Sequence, residues 1–121
     1  MLNCIMVGIG GFIGSICRYL IGLLPIEIHH GFPIKTLAIN VAGSFLISVI
    51  AILASKDKGL SPQIALMLRV GICGGFTTFS TFAYEAADLI KSGHMMTAVV
   101  YVCMSIAFSV AAIIAAQILV K

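Results

Sequence analysis

The residues best placed to do chemistry lie in one run, GGFTTFSTF, from Gly74 to Phe82. It holds two glycines, four hydroxyls and three phenylalanines, inside an apolar segment too long for one simple membrane crossing. Glycines and bare hydroxyls are poor choices for a lipid-facing helix. Irregular backbone at bilayer depth survives only where it is buried in protein or lines a cavity. The run therefore reads as the lining of a pathway. Opening a helix at Gly74-Gly75 and the Phe76-Thr77-Thr78 that follows frees carbonyls on one side and amide N–H groups on the other. Freed carbonyls suit a cation, and the N-terminus of the second half-helix suits an anion. Phe79 and Phe82 are three apart and share a face, while Ser80 and Thr81 turn elsewhere. Core packing is the ordinary role for such phenylalanines; the adjacent glycines and hydroxyls weaken that reading.

The elements that must position this run are membrane helices. The chain has 121 residues, of which 61% are hydrophobic and 9% charged. Its mean hydropathy is +1.20. A soluble domain carries about 25% charged residues, so this chain cannot cover a water-facing surface. A span needs roughly 20 apolar residues. Four such spans are expected, at Cys4–Leu24, Lys35–Ala54, Ile64–Ile90 and Met95–Val120, joined by short loops in a single domain over residues 1–121. The third would measure about 40 Å as a regular helix. A hydrocarbon core is about 30 Å thick, so tilt or interruption is needed. In the second span Thr36, Asn40, Ser44 and Ser48 recur every four residues; Tyr101, Ser105 and Ser109 do so in the fourth. Serine and threonine can bond the carbonyl one turn back. A buried Asn needs outside partners, and two stripes together favour a polar path. Gly10 with Gly14, and Gly71 with Gly75, permit close helix approach. Their spacing leaves open whether they join helices of one chain or of two.

Charge is sparse and nearly balanced. Lys56, Lys58, Lys121 and Arg69 fall toward one side of the membrane, and Lys35, Lys91 and Arg18 toward the other. Loop lysines and arginines set orientation. With so little bias, insertion both ways round is the expectation. Glu85 and Asp88, late in the third span, are expected to pair with Lys91 or Arg18. The four cysteines sit inside spans without metal-ligand spacing and read as packing residues. His29 and His30 read as loop. No nucleophile, base and oxyanion grouping suggests an enzyme, and no nucleic-acid partner is expected. Four short helices hardly enclose a polar path alone, so self-association is the default.

Three segments carry a family resemblance: GGFIGSICRY (Gly10–Tyr19), TLAINVAGSF (Thr36–Phe45) and GICGGFTTFSTF (Gly71–Phe82). By these the chain resembles the Fluc (CrcB) fluoride channel family over nearly its whole length. The resemblance implies an all-α membrane protein with a broken third helix, working as an antiparallel, dual-topology homodimer in the lipid of the inner or plasma membrane. It implies passive, selective export of fluoride ion and resistance to it. It places Asn40, Phe79, Phe82, Ser80, Thr81, Tyr101, Ser105, Ser109 and Thr36 along the fluoride pathway. It assigns a structural Na⁺ to backbone carbonyls of Gly74 and Thr77 from both subunits, and a structural charge to Arg18. Lys35 and Ser48 stand where the family tends to have glycine. The rival four-span class, proton-coupled multidrug exporters, uses an acidic residue in the first span; none occurs from Met1 to Leu24.

Overall fold

A computed structural model describes residues 1–56 and 59–120. Asp57, Lys58 and Lys121 lie outside the described residues, and with them two of the basic residues counted above. Four helices long and apolar enough to cross a membrane are present: Leu2–Gly22, Ile34–Ala54, Pro62–Lys91 and Met95–Leu119. The described residues contain no strand. Each boundary lies within two residues of the span read from the sequence.

Local chemistry accounts for the ends. Pro25 follows the first helix closely and cannot continue it. The third helix starts on Ser61, whose hydroxyl accepts the Ile64 N–H at 3.4 Å, with Pro62 in the first turn. It ends at Lys91, where Gly93 takes φ +85°. Gly93 N–H donates to the Ile90 carbonyl, and His94 N–H to that of Leu89, a paired closure that favours glycine at the left-handed position.

The third helix is not regular. Pro62–Leu66 is α-helical, Met67–Cys73 is a π-helix, and Gly74–Phe76 is α-helical again. Thr77 and Thr78 are extended, and Phe79–Lys91 is the second half-helix. The break thus falls at Thr77-Thr78, the far end of the expected interruption, while the glycines stay helical. The π-helical turn before it has no counterpart in the sequence reading.

The glycine pairs meet within one chain. A Cβ on Gly10 would overlap the Met67 carbonyl and lie 2.8 Å from the Gly71 Cα. One on Gly14 would overlap the Ile72 carbonyl and lie 2.8 Å from the Phe76 nitrogen. One on Gly75 would lie 2.6 Å from the Gly11 carbonyl oxygen. The first helix and the π-helical segment therefore touch backbone to backbone, which settles the question the spacing left open. The second and fourth helices form the other pair, where the Ser48 hydroxyl donates to the Ile113 carbonyl at 3.3 Å. A small core of Leu37, Ala86, Leu89, Ala98 and Tyr101 gathers the second half-helix between them. Of the cysteines only Cys73 is buried; Cys4, Cys17 and Cys103 are exposed, so packing within the chain describes just one of the four.

Gly14→Ala forces apart two backbones with no flexible side chain to yield. It should destabilise the fold by about 1–3 kcal/mol. Gly8 has nothing within 4 Å of an added Cβ, so Gly8→Ala should be neutral or stabilising. Thermal unfolding in detergent checks both.

Candidate functional site

A helix that stops inside a membrane leaves backbone groups without partners. Here the second helix supplies them. In a continuous helix the Thr78 N–H would reach the Gly74 carbonyl. Instead it donates to Asn40 Oδ1 at 2.9 Å, while Asn40 Nδ2 donates to the Thr78 carbonyl at 3.1 Å. One side-chain amide thus satisfies both backbone groups of one extended residue. Thr78 then caps the second half-helix. Its hydroxyl oxygen accepts the Thr81 N–H at 3.2 Å, the donor that a continuous helix would give to the Thr77 carbonyl. Its own hydrogen goes to Thr81 Oγ1 at 3.1 Å. The carbonyls released from helical bonding therefore include those of Gly74 and Thr77. On the other side of the gap, Thr77 turns its N–H and its hydroxyl onto the Cys73 carbonyl, at 3.0 and 2.8 Å.

Beside the break lies an outward-opening groove of about 350 Å³. It is lined by Asn40, Ser44, Gly74, Thr77, Phe79, Phe82, Ser105 and Ser109, with Gly43, Ile47, Cys73, Thr78 and Ile106. Seven of the residues expected to serve an ion are brought together here: Asn40, Phe79, Phe82, Ser105, Ser109, Gly74 and Thr77. Phe79 is 79% exposed on the surface of the chain, and Gly74 is exposed beside it. The rings of Phe79 and Phe82 are 5.6 Å apart, tilted by 47°. The second amide hydrogen of Asn40 is unused by the break. Ser109 makes no hydrogen bond among the described residues, so its hydroxyl is a free donor into the groove. Ser44 and Ser105 give their hydrogens to the carbonyls of Asn40 and Tyr101, each at 2.7 Å. The self-satisfied reading of the stripes thus holds for those two, although both also line the groove.

The remaining expected residues sit elsewhere. Thr36, Thr81 and Arg18 line a second recess of about 490 Å³, together with Ser15, Lys35, Thr78 and Glu85. Thr78 faces both hollows and is the residue between them. Lys35 donates to the Gly22 and Leu24 carbonyls at 2.9 and 3.3 Å, closing the C-terminus of the first helix. Ser80 lines neither hollow; its hydroxyl stands 3.5 Å from that of Thr78. Tyr101 is fully buried. Its ring lies 5.2 Å from Phe82 and 5.6 Å from Phe32, so it holds the groove's inner wall rather than its surface.

Glu85 is the residue the sequence reading misplaced. Its two oxygens accept from the Thr36 hydroxyl and the Tyr101 hydroxyl, both at 2.7 Å. No salt bridge joins Glu85 or Asp88 to Arg18 or Lys91 among the described residues. The reason is helical phase: Glu85 lies on the buried side, next to Ala86, facing the start of the second polar stripe. Its distance in sequence from Thr36 left no pattern by which to find the contact. His30 and His94 bring their rings to 6.2 Å, yet no three metal-ligating side chains gather among the described residues.

Comparison with known proteins places this arrangement. Residues 5–117 match the family described as CrcB-like protein, Camphor Resistance (CrcB). A "Fluoride-specific ion channel FluC" of Chlorobaculum tepidum is similar over 121 residues at 45% identity, covering 100% of this chain and 96% of the relative. Proteins of the same name from Ruminiclostridium cellulolyticum and Rhizobium meliloti are 41% and 38% identical, each over 100% of this chain and 94% and 98% of their own length. A broken third helix with a donor-lined groove, and likeness across essentially the whole chain, lead to one conclusion: the chain belongs to the CrcB-like family.

Proposed function

We propose that this chain is a fluoride-selective channel of the cell membrane, a multi-pass protein and not an enzyme, through which fluoride leaves the cell passively. The observation that carries the reading is the groove beside the break. It holds free N–H and O–H donors and aromatic edges, and no carboxylate. Fluoride is small and strongly hydrated, so stripping its water requires donors at short range. Asn40 and Ser109 have hydrogens to give. Ser44 and Ser105 can turn theirs from the neighbouring carbonyl to a passing anion, a rotation about one bond. Ring edges are the positive part of the aromatic quadrupole. No fixed cation lines the groove to trap the ion, which meets the need for sites that bind and release. Proton-coupled cation export, the rival reading, is not favoured: no acidic residue stands in the first helix.

We further propose an antiparallel homodimer with a cation at its centre. The groove opens on the protomer's outside, where Gly74 and Phe79 are exposed. Polar groups at bilayer depth are costly against lipid, and a second copy would cover them. The even charge balance permits the opposite insertions that such a pair needs. The carbonyls of Gly74 and Thr77 lack helical partners and offer neutral, hard oxygen. Two sets facing each other suit a monovalent cation such as Na⁺. When bound, the ion would neutralise carbonyl repulsion at the interface. The residues' own part is to leave those oxygens unpaired, which Asn40 and Thr78 do.

Fluoride-loaded liposomes bearing the protein should empty once a K⁺ ionophore relieves the charge imbalance, whereas chloride should stay. Comparable chloride flux, or dependence on an imposed proton gradient, would reject the reading. Phe79→Ile and Phe82→Ile should slow efflux though they keep apolar bulk; unchanged efflux would assign the rings to packing.

Asn40→Asp keeps an acceptor for the Thr78 N–H but sets oxygen against the Thr78 carbonyl. An unsatisfied buried group costs about 1–3 kcal/mol, or roughly a fivefold to hundredfold loss expressed as rate. Asn40→Asp and Asn40→Ala should lower both unfolding temperature and efflux by that order.

For orientation, a single cysteine at exposed Lys91, with the four native cysteines replaced by alanine, should label from both faces of the cell membrane. Labelling from one face would exclude the antiparallel pair.

A further inference from the structure

We propose that Gly43 is a positioning residue for the break: its missing side chain is the slot into which the Thr77 methyl fits, and this fit sets where the Thr77 carbonyl points. The inference rests on the reading that this carbonyl belongs to the ion machinery.

Gly43 is buried on the second helix, three residues beyond Asn40. A Cβ built on it would overlap Thr77 Cγ2, with Phe76 Cδ1 at 3.5 Å and Thr77 Cβ at 3.6 Å. The end of a flexible side chain would swing clear of such a clash. Thr77 has no such freedom. Its hydroxyl is tied to the Cys73 carbonyl at 2.8 Å, and a β-branched side chain has few allowed rotamers. Turning χ1 to release the methyl breaks that bond. The remaining relief is a shift of the Thr77 backbone, whose carbonyl has lost its helical donor to the Thr78 cap.

Threonine is thus held by both of its branches: the hydroxyl to the helix it leaves, the methyl to the helix it faces. One turn away, Asn40 holds the next residue by both of its backbone groups. The second helix therefore grips the two extended residues by two different devices, a hydrogen-bonded clamp for Thr78 and a steric slot for Thr77.

The overlap has a specific remedy. Thr77→Ser removes the methyl that would clash while keeping the hydroxyl tether and the carbonyl. Gly43→Ala alone should cut fluoride efflux from liposomes by about tenfold to a hundredfold, the scale on which displacements near 1 Å act in preorganised sites. Thr77→Ser alone gives up the methyl's fit but keeps the hydroxyl tether, and should lower efflux by up to about fourfold, the factor one buried methyl is worth. The double variant Gly43→Ala/Thr77→Ser should return to that range.

The second readout is the rise in unfolding temperature on replacing N-methylglucamine with Na⁺. Gly43→Ala should lose it and the double variant regain it. If Gly43→Ala yields no folded dimer, a folded, conducting double variant still supports the slot. Parent-like efflux from Gly43→Ala overturns the proposal. So does a double variant no better than Gly43→Ala while Thr77→Ser alone still conducts. A parent that passes fluoride but shows no Na⁺ effect rejects the central cation instead, and the efflux arms then decide the slot alone. A parent that passes no fluoride rejects the channel reading itself.

Discussion

Everything near the site depends on how the Asn40 amide binds Thr78. Lipid offers no hydrogen bonds, so backbone can leave the helix at this depth only if something else takes its N–H and C=O. Asparagine carries one acceptor and two donors on a short, planar group. It can therefore satisfy an extended residue from the side and still keep a hydrogen. Serine or threonine could not do both. With Thr78 held, its N–H no longer serves Gly74, and the capping hydroxyl takes the donor that would have served Thr77. The carbonyls are left without helical donors because their usual partners are engaged elsewhere.

That arrangement needs rigid surroundings. The first helix presses on the π-helical segment through Gly10, Gly14 and Gly75, so the half-helix ahead of the break cannot drift. Behind the break, Tyr101 packs on Phe82 and joins Glu85, which also takes Thr36. The fourth helix, the second half-helix and the second helix are thereby knotted together around one carboxylate. The groove lies between these two fixed bodies. Its open side is the face that the proposed second copy would cover.

Much of this was legible in the sequence, for physical reasons. Length and hydropathy define the four spans, because bilayer thickness is a fixed ruler. Glycines and hydroxyls at bilayer depth reveal the break, and four-residue spacing reveals the stripes that deliver Asn40, Ser105 and Ser109 to one groove. Other features leave no such trace. The π-helix is a change of hydrogen-bond register, and no residue type marks it. The contact of Glu85 with Thr36 depends on how helices far apart in sequence are rotated. Thr78, the residue that joins both hollows, looks no different from Thr77 until the backbone is seen. Tyr101 and Thr36 fit the stripes, yet their hydroxyls are committed to Glu85.

The π-helical turn has a consequence for how the chain tolerates changes in length. Met67, Ile72 and Phe76 lie along the first helix at steps of five and four, the wider period of i→i+5 bonding. Each residue of an ordinary α-helix turns the chain by about 100°. Losing one residue between Met67 and Cys73 would convert this stretch to a regular helix with better-formed bonds. Because the wide turn already absorbs that residue, the segments on either side would keep nearly the same phase, with Thr78 still facing Asn40. The same loss from an α-helical stretch of the span would turn everything beyond it by that angle, so a change of length can be absorbed at the π-helical segment and not after it.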